Sequence, residues 1–420
     1  MKAIKHKYLV GVVAGAGLGL VLQPDVANSI AAQVSVGQQN SGPATAALRP
    51  YIERQEIAGA VVVLATKDHV VDREAVGYAD LKVHKTMRVN DLFWIASMGK
   101  AMTAASVMML VDEGKIKLDD PVSKYLPEFK NLVVADVQNP DEKKMSQAVN
   151  ARSSVVPANS PITIREILSH TSGLPYHSKA EVGVLDLLPL ERSVHSYAAE
   201  PLVSQPGTAY LYSNEGINIA GRIIEIVSGM PLDMFMQRRL FEPLGMKDTT
   251  FWPSPSQLER LAKTYAGTSG TLSEVPISQL TYPLDDREHR FAFPAGGLFS
   301  TGDDVAHFCQ IILNGGVFEG KRYLSPESIR FMTTKETGSA VSQEYGFGWN
   351  ISGNTVEHAG ADNTDMEINL KTGLITVFMV QHDGSWKKTS KMELMQSLEN
   401  AGEALTFLAP DLPCANCSQR

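Results

Sequence analysis

Cysteine is scarce, with 3 in 420 residues, and what little there is argues against metal or redox chemistry. Cys414 and Cys417 form a Cys-Ala-Asn-Cys pair near the end of the chain. A redox motif of that spacing needs a thioredoxin-like setting, and a zinc site would need two further ligands. The pair is expected to belong to a tail, closed at most as a local disulfide after export. Cys309 lies in the apolar helical stretch AHFCQIIL and is expected in the core. Blocks of lysine or arginine are also missing, and the net charge is −8, so nucleic acid is not an expected partner. No internal repeat is visible. Only one long apolar run exists, Tyr8–Leu22, and it is shorter than the ~20 residues that a membrane span needs.

That run follows Lys2, Lys5 and Lys7 and precedes Ser29, Ala31 and Ala32, the order of an export signal cleaved near Ala31 or Ala32. Residues 1–32 are thus expected to be a signal peptide and the protein to be periplasmic or secreted. Membrane contact would arise only through this segment if it stayed uncut. No cysteine follows it that could carry a lipid. Residues 33–45, in a Gln/Ser/Gly/Asn/Ala-rich stretch reaching Pro50, are expected to be a flexible lead-in.

The remainder has the composition of a globular enzyme, 44% hydrophobic and 20% charged, and is long enough for two lobes. Ala58–Ala65 and Val70–Gly77 read as strands with a turn at Lys67–Asp68. Tyr345–Ile351, Asp365–Leu370 and Leu374–Gln381 read as strands too, and Lys387–Leu408 as a closing helix. Helical periodicity occupies the middle, while Asn131–Pro161 reads as a long surface loop. The expected fold is α/β (α+β). An antiparallel sheet is built from both chain ends (46–90 and 300–405) and flanked by helices, with a mainly helical lobe (91–299) inserted. Residues 46–405 form this domain and 406–420 a tail.

The most informative stretch is Phe93–Gly114, FWIASMGKAMTAASVMMLVDEG. Ser97 and Lys100 stand three residues apart at its head, so one helical face presents both. The run that follows is apolar on almost every side, which predicts a buried helix stopped by Gly114. A lysine at the head of such a helix is costly and implies a purpose. Downstream, Tyr212–Ser213–Asn214 follows the Pro206–Gly207 turn, with Asn214 expected to cap the next helix. His358–Ala359–Gly360 ends a predicted strand, where small residues would let a substrate lie against the backbone.

In this order the three motifs resemble the serine β-lactamase and penicillin-binding-protein superfamily. The likeness is to the branch of class C β-lactamases, D-alanyl-D-alanine carboxypeptidases, D-aminopeptidases and family VIII carboxylesterases. ILSHTSGL (167–174), FEPLGMKDTTF (241–251) and PAGGLFSTGDDVAHF (294–308) are similar to the family as well. The resemblance implies a β-lactamase/transpeptidase-like fold and acyl transfer from Ser97, with Lys100 or Tyr212 taking its proton. Asn214 would orient Lys100 or hold a substrate amide. The backbone N–H groups of Ser97 and Ala361 would stabilise the oxyanion, and His358 and Gly360 would border the substrate. No cofactor or metal is implied. Lys371–Thr372–Gly373 imitates the third motif but lies where a turn between two strands is expected, so His358 is preferred.

Where the family carries lysine at His358, a fixed charge holds the substrate carboxylate. Histidine, with an ordinary pKa near 6.5, is mostly neutral at pH 7 and gains its charge only as pH falls. The expected activity is therefore that of an esterase or amidase on small acyl substrates. A D,D-carboxypeptidase or β-lactamase is the alternative, and a non-turnover sensor or scaffold that binds wall fragments the second.

Overall fold

A computed structural model of the chain describes residues 42–135, 154–181, 183–268, 270–384 and 388–408. The expected export signal, most of the expected lead-in and the Cys414/Cys417 pair fall outside the described residues. The elements that frame the site are α1 (Pro43–Glu53), β1 (Gly59–Ala65), β2 (Val70–Asp80), β3 (Lys85–Thr86), α2 (Gly99–Asp112) and α3 (Asn214–Ser228). After them come α4 (Gly302–Leu313), β4 (Asn350–Ser352), β5 (Thr355–Ala359), β6 (Asp365–Asn369), β7 (Leu374–Val380) and α5 (Lys388–Leu408).

The seven strands form one antiparallel sheet in the order β4-β5-β6-β7-β1-β2-β3. β1 pairs with β7 in a register that sets Val62 against Phe378, so the two ends of the chain meet at mid-sheet, as expected. β1 is apolar throughout because both its faces are covered. Ala60, Val62 and Leu64 join Leu48 and Ile52 of α1 and Leu394 and Leu398 of α5 in one core. Val61, Val63 and Ala65 alternate to the other face and share a second core with Val305, Phe308 and Cys309 of α4. Cys309 is indeed buried there, with its thiol pKa raised by burial. Among the described residues no helix is long and apolar enough to cross a membrane.

Four local expectations change. The lead-in is helical from Pro43, because the Glu74 carboxylate accepts from Ala44 N (3.1 Å) and Thr45 N (2.6 Å) at the first turn of α1. That cap lies about thirty residues away along the chain, so nothing local announces it. The stretch opening at Phe93 is not one helix. Phe93–Trp94 pairs with Phe299–Ser300, Ala96–Met98 is a 3-10 turn, and α2 begins at Gly99. Tyr345–Ile351 joins the sheet only from Asn350. Gly348 has φ +82°, and a Cβ there would come within 2.6 Å of Ala101 Cα, so this segment leans on α2. Finally, Val133–Ala135 and Val155–Pro157 pair at the ends of the expected loop, whose residues 136–153 lie outside the described set.

Candidate active site

Ser97 is raised into position by an unusual backbone. Ala96, with φ +45°, sits in the left-handed region that a residue with a Cβ seldom occupies. The bend is held by the two residues before it. Ile95 N donates to Leu298 O (3.0 Å), and Trp94 Nε1 donates to Gly296 O (2.7 Å). One turn later, Lys100 points back at the serine. Its Nζ lies 2.9 Å from Ser97 Oγ and donates to Ala295 O at 2.6 Å. Ser97 is half-buried and Lys100 is 0% exposed. Neither of the lysine's partners is a carboxylate, so burial drives its pKa well below the ordinary lysine value. The buried all-apolar helix expected around the pair is present, with every residue of α2 from Gly99 to Leu110 out of solvent.

Tyr212 completes the contact. Its hydroxyl hydrogen-bonds the Ser97 side chain, and its ring lies 4.8 Å from Lys100 Nζ. Burial pushes its pKa up, keeping it a phenol. Tyr176 stacks on it at 6.2 Å between centroids. The helix cap is Ser213 and not Asn214. Ser213 is extended and its Oγ accepts from Gly216 N (3.2 Å), which leaves Asn214 as the first residue of α3. The described hydrogen bonds of Lys100 go to Ser97 and Ala295 rather than to Asn214, whose Oδ1 is buried without a partner.

His358 stands on β5 with its ring 6.2 Å from that of Tyr212. It is 2% exposed, its Nε2 is out of solvent, and its Nδ1 lies 2.9 Å from Ala359 O. Burial first, and then the charge of Lys100, lowers its pKa to about 3. The imidazole is therefore neutral at every ordinary pH, and the expected gain of charge on mild acidification does not occur in the unliganded site. Gly360 does not leave room for a substrate. A Cβ there would meet Thr364 Oγ1 at 2.1 Å and Ile95 O at 2.7 Å, so glycine is needed to bring β5 against the Ser97 turn. Ala361 is exposed in the turn that follows. Lys371 is exposed in the β6–β7 turn, where Asn369 Oδ1 accepts from the N–H groups of Lys371 (3.0 Å) and Thr372 (3.1 Å).

Three contributors had no place among the expected site residues, although their stretches were visible. The Ala295 carbonyl, in the PAGG run, holds Lys100. Asn218 Oδ1 accepts from Ala295 N (3.3 Å), and Asn218 Nδ2 donates to Tyr197 Oη (2.8 Å), which in turn donates to the buried Glu181. His170, in the HTSG run, packs 4.6 Å from the Tyr212 ring. Their importance lies in contacts across the fold, which a single motif does not display.

Protein Rv1367c of Mycobacterium tuberculosis (strain ATCC 25618 / H37Rv) is 29% identical over 374 residues, 80% of this chain and 89% of its own. A Salmonella agona (strain SL483) protein, provisionally named a D-alanyl-D-alanine carboxypeptidase, is 28% identical over 331 residues, 72% of this chain and 71% of its own. Among solved structures, EstCE1, described as a hydrolase with promiscuous acyltransferase activity, superposes with a TM-score of 0.70 at 22% identity. The match covers 85% of this chain and 97% of EstCE1. The unliganded simvastatin synthase LovD of Aspergillus terreus (selenomethionyl derivative) gives 0.70 at 20% identity, covering 87% and 99%. At such identities the two structures show a shared fold. The family model described as Beta-lactamase matches residues 44–397, a span that takes in every strand of the sheet and every residue of the site, and the chain therefore belongs to the Beta-lactamase family of hydrolases.

Proposed function

We propose that this protein is an exported serine hydrolase that forms an acyl-enzyme on Ser97 and acts on small neutral esters or amides. The observation that carries the reading is the 2.9 Å contact between Ser97 Oγ and a wholly buried Lys100 amine. A neutral amine donates one N–H to Ala295 O and turns its lone pair to the serine hydroxyl. Lys100 takes the Ser97 proton as Oγ bonds to the acyl carbon. The tetrahedral oxyanion faces the N–H groups of Ser97 and Ala361. On collapse the carbon–leaving-group bond breaks, and the leaving oxygen or nitrogen takes the proton back from Lys100 through the Tyr212 hydroxyl. Water then adds to the acyl-enzyme in the same way. It gives its proton to Lys100 and its oxygen to the acid product, while Ser97 Oγ is reprotonated. The raised pKa of Tyr212 favours Lys100 as the base and the tyrosine as shuttle.

Neutral substrates are favoured because the family's carboxylate-anchoring lysine is replaced by a buried, uncharged His358. Acyl esters of p-nitrophenol, nitrocefin and D-Ala-D-Ala peptides assayed side by side test this. The esters should turn over at least ~10-fold faster in kcat/KM, about 1.4 kcal/mol of transition-state preference. A dominant peptidase or β-lactamase activity would overturn the substrate reading. Ser97→Ala should lose the single fluorophosphonate adduct seen on the parent by intact-mass spectrometry, and an adduct that persists on it refutes the nucleophile. An adduct that forms on the parent without any turnover points to the sensor instead.

A further inference from the structure

Tyr212 is gripped from both sides by one residue that the acyl-transfer scheme does not use. The His170 carbonyl accepts from Leu211 N (2.8 Å), and His170 Nδ1 accepts from Ser213 N (3.1 Å), the residues before and after Tyr212. His170 is 0% exposed and, like Ala96, adopts a positive φ, +58°. Its ring also packs 4.9 Å from that of Tyr345, which lies 6.4 Å from that of His358. His170 Nε2, Tyr345 Oη and His358 Nε2 are all buried without a hydrogen-bond partner. An unmet buried polar atom is destabilising, so three in one cluster call for a joint cause.

Backbone contacts decide where the ring protons sit. Ser213 N–H can only donate, so His170 Nδ1 bears the lone pair and the ring proton is on Nε2. A protonated imidazolium could not accept that bond, so His170 is neutral. Ala359 C=O can only accept, so His358 Nδ1 carries its proton and Nε2 the lone pair. Burial opposes a second proton on either ring. The three orphaned atoms thus read donor, hydroxyl, acceptor, a complementary set.

We propose that His170, Tyr345 and His358 form a buried triad of opposite histidine tautomers, joined at the Tyr345 hydroxyl through shared water, with His170 as the residue that positions Tyr212 for proton transfer. The proposal rests on Tyr212 taking part in acyl transfer, but the tautomers can be read without any substrate. Long-range 1H–15N NMR of 15N-histidine-labelled protein at pH 7, assigned with His170→Asn and His358→Gln, should show His170 protonated on Nε2 and His358 on Nδ1. Equal tautomers, or an imidazolium at either position, overturn the triad. Asn at 170 keeps an acceptor for Ser213 N–H but nothing in place of Nε2, and Tyr345→Phe removes only the hydroxyl. Each should lower kcat on a p-nitrophenyl ester by ~5- to 30-fold with KM within ~3-fold. The double variant should lose no more than the worse single one. Losses that multiply, or a melting temperature that falls while kcat holds, overturn the positioning role. Should Ser97→Ala remain active, the catalytic reading fails while the tautomer assignment stands.

Discussion

Lys100 shows what a residue can cost its own fold. An amine with no carboxylate beside it is kept in the interior, where the charged form is disfavoured. Two outcomes follow from the same shift. Since the free amine is the active form, kcat/KM should rise with pH and level off on a limb set by a group titrating well below an ordinary lysine. A pH–rate profile of an ester substrate checks this, and a rise centred at the ordinary lysine value contradicts it. On the stability side, the unfolded chain carries a protonated lysine up to about pH 10.4. It therefore binds more protons than the folded protein between the depressed folded pKa and that value, and stability grows with pH across the window. Lys100→Met should abolish turnover, flatten that slope and raise the melting temperature by roughly 1–2 °C at pH 7, for about 1 kcal/mol recovered. A lower melting temperature in calorimetry would show that the amine is a net stabiliser.

At the scale of elements, α2 is held to the 294–296 segment by two contacts, and Trp94, just before it, adds a third. Thr103 Oγ1 donates to Pro294 O (3.0 Å), Lys100 to Ala295 O and Trp94 Nε1 to Gly296 O. Asn218 on α3 steadies that segment from the other side through Ala295 N. Asn218→Ala leaves this N–H and the Tyr197 hydroxyl each short of a partner. It should lower kcat by ~5- to 150-fold, the counterpart of the roughly 1–3 kcal/mol that an unmet buried polar group costs. Steady-state kinetics with unchanged kcat would remove Asn218 from the account. The β6–β7 hairpin gives the opposite expectation. Lys371 is an exposed turn residue one strand beyond His358, so Lys371→Ala should leave kcat/KM within about 2-fold. A crippled Lys371→Ala enzyme would mean that the Lys-Thr-Gly run reaches the site after all.

Over the whole molecule, the sheet that joins the chain ends is also where acid groups accumulate. Glu357 and Glu367 lie directly opposite each other on β5 and β6, with Asp365 and Lys391 of α5 close by. Burial, with Asp365 adding to it, raises Glu357 to about 7 and Glu367 to about 8. Burial likewise raises Asp304 and Asp362 to about 7, and raises Glu74 at the cap of α1. All of these lie above their unfolded values of about 4, so the folded state holds the extra protons. Their favourable contribution is complete below about pH 4 and is lost as pH climbs through 7 to 8. These five acids outweigh Lys100, whose contribution runs the opposite way, so the melting temperature should be higher at pH 5.5 than at pH 8. Glu367→Gln should narrow the difference by removing one of two like charges set face to face. A melting temperature that rises over this interval contradicts the assignment.

How much of this was legible in the chain depends on the range of the interaction. Period-2 and apolar patterns are local, and they placed β1, β2, β6, β7 and α5 to within a few residues. Spacing along one helical face is local too, so Ser97 with Lys100 could be read at the head of a buried helix, and motif order then pointed to Tyr212 and His358. What required the folded structure depends on residues far apart in sequence. Glu74 caps α1, Gly348 lies close against Ala101, Ser213 takes the cap from Asn214, and Thr364 and Ile95 fill the space at Gly360. Protonation belongs to the same group. The composition of a motif says histidine, lysine and tyrosine, but a pKa is set by desolvation and by the neighbours that close around each group. Motif order left Lys100 and Tyr212 both open as the base and His358 free to gain charge on acidification; only packing favours Lys100 and keeps His358 neutral.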